Sequence, residues 1–181
     1  MMRYSLLRIF LIVVIVCGGY MLFFESSPSA NQSLEGEKKE PVVTMKRLSY
    51  KPINTPVIRS SALDNKVVII TFWATWCTPC INEIPIWHSL KTKYESEGLK
   101  IIAISIDQER KTVDQFLTRR PVRYPVVMAT PEILKAYGEI RAVPTTFIIN
   151  RKGEIVHKFL GYETESFFES QLLPLLKKEN G

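Results

Sequence analysis

Residues 72–85 read F-W-A-T-W-C-T-P-C-I-N-E-I-P, and no other stretch limits the possible folds of this chain as sharply. Two cysteines, Cys77 and Cys80, close an apolar run and open a segment with helical spacing. A thiol at a helix N-terminus faces unpaired backbone N–H groups and the positive end of the helix dipole. Both favour thiolate over thiol, so the first cysteine becomes the more reactive. The second lies one helical turn on, close enough to close a disulfide. The pair therefore reads as a dithiol/disulfide switch. C-x-x-C also supplies half of many zinc sites, but zinc needs about four ligands. The chain offers only Cys17, inside an apolar segment, and the scattered His88 and His157. No metal and no cofactor is expected. A permanent structural staple is the other bland reading, and a loop this short gains little as a staple.

Residues 66–72 (K-V-V-I-I-T-F) form a β-branched run without polar alternation, as expected of a strand buried on both faces. A helix is expected over 78–97, with Pro79 in its first turn, Pro85 kinking its interior and Gly98 ending it. Further strands are expected at 99–106, 124–128, 145–150 and 154–160, the last two joined by the turn R-K-G. Helices are expected at 109–119, 131–137 and 164–178, and a hairpin or edge strands within 41–61. Strands alternating with helices before a closing hairpin give an α/β fold with a mixed central sheet.

With 181 residues, the chain has room for one ordinary domain and a tail. Residues 6–24 are apolar except for Arg8, and from Ile9 the uncharged run is 16 residues. That is near the lower limit for a spanning helix, and Leu6 and Leu7 extend it if Arg8 snorkels. A cleaved signal peptide is the rival reading. Bulky Tyr20, Met21, Phe23 and Phe24 end the run without a good small-x-small site, which favours an uncleaved anchor. The expected organisation is thus an uncleaved signal-anchor at 1–25, a polar flexible linker at 26–40 and a folded domain at 41–181. Arg3 and Arg8 before the run and Glu25 after it place the N-terminus in the cytoplasm and the domain outside. The net charge of +6 is dispersed, which gives no support to nucleic-acid binding.

W-C-x-x-C after a strand, with Pro85 five positions beyond the second cysteine, resembles the thioredoxin superfamily. The longer form C-T-P-C-I-N-E-I-P is similar to its membrane-anchored TlpA/ResA branch. A-Y-G-E-I-R-A-V-P-T-T-F-I-I-N at 136–150 and R-K-G-E at 151–154 follow in the same order. The resemblance covers residues 65–178 and implies a thioredoxin-like fold, its mixed sheet flanked by helices.

On this resemblance Cys77 is the attacking nucleophile and Cys80 resolves the mixed disulfide. Thr78 and Pro79 between them lack the histidine of strong oxidants, so a milder oxidant or a reductant is expected. Pro144 matches the superfamily's cis-proline, which turns the backbone of Val143 toward the cysteines for pairing with an extended substrate. Trp76 is expected on the docking surface and Trp73 in the core. Glu83, three residues after Cys80, shares its helix face and could take the Cys80 proton. Thioredoxins proper carry a buried Asp six positions before the first cysteine, where this chain has Thr71.

The function so implied is that of a membrane-tethered thiol-disulfide oxidoreductase reducing protein disulfides, apocytochrome c during cytochrome c maturation among them. Its place would be the bacterial cytoplasmic membrane, single-pass, with a periplasmic domain recharged by a membrane donor of the DsbD/CcdA type. A disulfide-donating oxidase, and a thioredoxin-fold binding module or chaperone with incidental cysteines, are the alternatives. W-C-x-x-C argues against a peroxidase.

Overall fold

Five strands form one sheet in the order β3-β2-β1-β4-β5. The computed structural model describes residues 50–177. Strands β1 (Val67–Trp73), β2 (Leu99–Ser105) and β3 (Val126–Met128) run parallel. Strands β4 (Thr145–Ile149) and β5 (Ile155–Leu160) are antiparallel, with β4 against β1, so the sheet is mixed as expected. Helix α1 (Thr78–Tyr94) follows β1, α2 (Arg110–Arg119) follows β2, α3 (Pro131–Tyr137) follows β3, and α4 (Glu165–Leu176) closes the chain.

The burial of β1 on both faces is explained by two cores. Val67, Ile69 and Trp73 pack with Trp87 and Leu90 of α1, Phe116 of α2 and Phe168 of α4. Val68, Ile70 and Phe72 pack on the opposite face with Tyr50, Ile133, Tyr137 and Phe147. All seven residues of β1 are buried. Each large side chain removed from water contributes about 1.5–3 kcal/mol, so a central strand of this kind tolerates no polar alternation.

Element boundaries differ from expectation by one to three residues, each for a local reason. Helix α1 runs unbroken through Pro85 but ends at Tyr94, not Glu97. Residues 95–98 form turns instead, with Gly98 at φ +98°, a conformation that favours glycine. A Cβ there would also lie 3.1 Å from Arg151 Nη1. Strand β3 begins at Val126 rather than at Tyr124, because Pro125 has no N–H for the ladder and the Tyr124 carbonyl accepts from Asn54 Nδ2.

The hairpin expected within 41–61 is reduced to single bridges, Tyr50 to Ile58 and Pro52 to Val127, before a 3-10 turn at Ser60–Leu63. Its first half, 42–48, lies outside the described residues, as do the expected anchor and linker. Among the described residues no helix is long and apolar enough to cross a membrane.

Candidate active site

The dithiol sits where β1 hands over to α1. Cys77 is the N-cap of that helix, and its Sγ accepts the backbone N–H of Cys80 at 3.3 Å. The two sulfurs form a disulfide. Pro79 falls in the first turn, where its missing N–H costs nothing. In this oxidised form Cys77 is hardly more exposed than Cys80, at 5% against 3%. Access to the pair is therefore along the rim made by exposed Thr78, Pro79 and Trp76, the indole of Trp76 being 68% exposed.

The chain returns to the dithiol from two other segments. The Val143–Pro144 bond is cis, and the Val143 carbonyl oxygen lies 3.6 Å from Cys77 Sγ. Gly161 N–H donates to the Pro144 carbonyl at 2.8 Å, which brings the exposed Leu160 and Tyr162 alongside. Sequence reading did not single out these two. Their position follows from the pairing of Leu160 with Thr145, which only the sheet register reveals.

Glu83 is wholly buried, although an isolated helical glutamate is ordinarily solvated. One carboxyl oxygen accepts the backbone N–H of Glu163 at 3.3 Å, and the other has no partner. Burial pushes this carboxyl up to about 8; the Glu163 N–H pulls it down and the Glu163 charge raises it. At neutral pH it holds a proton. The position expected to carry a buried Asp in thioredoxins, Thr71, is buried too, with its hydroxyl 3.3 Å from that of Thr146. Glu83 thus stands as a buried acid one helical turn from Cys80, where Thr71 offers none.

Trp73 lies in the core against Phe116, ring centroids 5.2 Å apart. A small cavity of about 10 Å3 touches Cys80 and is lined by Thr71, Trp73, Ile84 and Tyr124. Burial, and then the Glu83 charge, raise the Tyr124 phenol well above its ordinary range. His88 accepts the Arg123 N–H, and the His157 ring stacks on Phe159, both away from the thiols. Among the described residues no group of His, Cys, Asp or Glu could hold a metal ion.

Three segments thus converge on one disulfide: a helix N-terminus, a cis-proline loop, and the β5–α4 connection that covers an acid. Comparison with known proteins agrees with this geometry. The model of the family described as Redoxin matches residues 41–173. The thiol-disulfide oxidoreductase ResA of Halalkalibacterium halodurans is 33% identical over 179 residues, 98% of this chain and 95% of its own. ResA of Bacillus subtilis is 29% identical over 172 residues, covering 94% and 92%. Among solved structures, StoA from Bacillus subtilis is 27% identical with a TM-score of 0.60, covering 68% of this chain and 93% of its own. A thiol:disulfide interchange protein of the thioredoxin family from Chlorobium tepidum is 28% identical, with a TM-score of 0.66 over 71% and 92%.

Proposed function

We propose a function from the premise that this chain belongs to the Redoxin family and is a ResA-like thiol-disulfide oxidoreductase of the thioredoxin superfamily: it reduces protein disulfides outside the cytoplasm. The reduced Cys77 thiolate attacks one sulfur of a substrate disulfide. A Cys77–substrate bond forms, the substrate's own S–S bond breaks, and its other sulfur leaves as a thiolate that takes a proton. Cys80 then attacks Cys77 Sγ, its proton passing to Glu83 in the minority of molecules whose carboxyl is ionised at neutral pH, and the second substrate sulfur leaves as a thiolate that takes a proton. Two electrons have moved to the substrate, and the enzyme holds the Cys77–Cys80 disulfide.

One observation carries this reading beyond generic dithiol chemistry: a wholly buried acid, with one oxygen unpartnered, one helical turn from Cys80. A carboxyl pushed up to about 8 is matched to a thiol's proton, where an ordinary glutamate would not be. Trp76, Thr78, Pro79 and Val143 form the rim on which an extended substrate lies, with Pro144 behind them. Exposed Leu160 and Tyr162 widen that rim with apolar surface.

The reductive direction is supported by the absence of a histidine between the cysteines. A tether through residues 1–25 to the bacterial cytoplasmic membrane, with the domain on the periplasmic side, is supported by the apolar run and its flanking charges. An extracytoplasmic reductant needs electrons from across that membrane, which calls for a donor of the DsbD/CcdA type. Apocytochrome c cysteines awaiting haem are the substrate that this branch suggests.

Equilibration with glutathione measures the direction. The Cys77–Cys80 couple should lie at roughly −220 to −300 mV, and a value near −120 mV would make the protein an oxidant instead. Retention in membranes through alkaline carbonate washing tests the anchor, and release of a shortened soluble species would refute it.

A further inference from the structure

Asp107 lies just beyond the end of β2 and is 9% exposed. Its carboxylate accepts three hydrogen bonds. Oδ2 takes the Thr75 backbone N–H at 3.0 Å and the Ser105 hydroxyl at 2.7 Å; Oδ1 takes the Thr75 hydroxyl at 2.7 Å. Ser105, wholly buried, also accepts the Asp107 N–H at 3.0 Å, so serine and aspartate lock each other's orientation. Thr75 stands two residues before Cys77. None of these groups takes part in the disulfide exchange derived above.

The turn carrying the nucleophile is pinned at three points. At its start, Ile106 N–H donates to the Trp73 carbonyl at 2.9 Å. At its end, Cys77 caps α1 and receives the Cys80 N–H. Between them, among the described residues, the Asp107 clamp and the Cys77 N–H to Ala74 carbonyl bond, at 3.1 Å, are the hydrogen bonds that hold the loop. The clamp also fixes the residue next to Trp76, a large aromatic side chain kept out in solvent.

Thr75 presents two donors to Asp107, and only a carboxylate offers an acceptor oxygen to each. An amide would have to turn its NH2 to the Thr75 hydroxyl, which would then accept instead of donating, and the charge that strengthens all three bonds would be gone. Burying a carboxylate is costly unless it is so satisfied, and an apolar side chain would close the end of a strand as well. The expensive group is explained by what it holds.

We infer that Asp107 is a positioning residue for the dithiol: through both donors of Thr75 it fixes the turn that sets Cys77 at the start of α1. This rests on Cys77 being the attacking thiol. Without the clamp the turn slackens, Cys77 Sγ departs from the Cys80 N–H, and the thiolate loses its stabilisation. The sign of the effect is diagnostic. Loss of positioning makes the thiolate harder to form, whereas loss of the nearby negative charge alone would make it easier.

The test is iodoacetamide alkylation of the reduced full-length protein across pH, read on the Cys77 peptide by mass spectrometry so that Cys17 and Cys80 do not interfere. With Asp107→Asn, the alkylation midpoint should move to higher pH, and the rate at neutral pH should fall about tenfold, the effect of exchanging hydrogen bonds to a charged acceptor for neutral ones. Thr75→Val leaves the charge at Asp107 in place and removes one donor. It should shift the midpoint the same way by less, and Thr75→Ser should restore parental behaviour.

An unchanged midpoint in Asp107→Asn, with lower thermal stability in both redox states, would reduce the cluster to a structural knot and overturn the inference. A midpoint moved to lower pH would overturn it as well, in favour of a bare charge effect. Should Asp107→Asn not fold, the Thr75 pair decides alone, and a parental midpoint in Thr75→Val refutes the clamp. If Cys80 reacts before Cys77 in the parent protein, the nucleophile assignment fails instead, which is a separate result.

Discussion

Replacing Glu83 by Gln should make the oxidised protein more stable at alkaline pH, and by a large margin. The carboxyl rises from its ordinary 4.5 to about 8 on folding, chiefly because it is buried. The folded state therefore binds more protons than the unfolded state between those two values, and stability falls as pH rises through that window. Below about pH 4.5 both states are protonated and nothing is lost; above about 8 both are ionised and the full loss has accrued. A gap of about 3.5 pH units at about 1.4 kcal/mol each comes to roughly 5 kcal/mol. Hydration of the ionised carboxylate by local opening will lower this, so a measured loss of about 2–4 kcal/mol is expected. Glu83→Gln keeps the shape, the contact to the Glu163 N–H and no titration. Urea unfolding of the oxidised protein at pH 5, 6, 7 and 8 supplies both curves. The parent should lose stability across the series relative to the variant, with the two nearly equal at pH 5. Parallel curves, differing by less than about 1 kcal/mol over the window, would mean that Glu83 is not a buried neutral acid, and its role in proton transfer would go with it.

Two further outcomes separate docking from chemistry and from scaffolding. Trp76→Ala should slow reduction of a protein disulfide about tenfold while leaving reaction with a small aromatic disulfide and the unfolding midpoint unchanged; equal loss on both substrates would assign Trp76 to the dithiol itself. Arg151 donates to the carbonyls of Asn65, Glu97 and Leu176, tying three chain segments at the end of the sheet far from the cysteines. Arg151→Met should cost about 2–4 kcal/mol in urea unfolding without moving the reduction potential, and Arg151→Lys should rescue little because a single ammonium cannot span three acceptors.

What the sequence disclosed, and what it withheld, follows from the range over which each signal acts. The β1 run, the N-cap position of Cys77 and the punctuation by Gly98 are local, and the structure places them within a few residues of expectation. Glu83 was legible as a neighbour of Cys80, because three residues on a helix share a face. Its complete burial was not legible, since the covering group is the backbone of Glu163, 80 residues away. Apolar residues on several sides of α1 also blur the periodicity that would otherwise have marked its inner face. Thr75 and Asp107 are 32 residues apart and look like ordinary loop residues. Their only sequence trace is S-I-D ending a strand that is parallel to the one bearing the cysteines. Pairing register at β4 and β5, which sets Leu160 beside the dithiol, likewise belongs to the sheet and to neither strand alone.

The burial of Glu83 has a consequence for where charge resides during turnover. Cys77, Cys80 and Glu83 lie within less than two turns of one helix, and three anions so close would repel strongly. Cys77 has the helix cap, with the Cys80 N–H directed at its sulfur, so the first negative charge belongs there. Cys80 and Glu83 are then left in a buried, apolar setting where a further anion is disfavoured, and their titrations are linked rather than independent. On the proposed reaction one proton is shared between the linked pair: it passes from the Cys80 thiol to an ionised Glu83 as the disulfide closes, and in the oxidised structure Glu83 is the group raised to hold it. When a donor thiol later opens the disulfide, the same carboxyl is already protonated and stands ready to supply the leaving Cys80 sulfur. A solvated glutamate, ionised at neutral pH, would have no proton to supply.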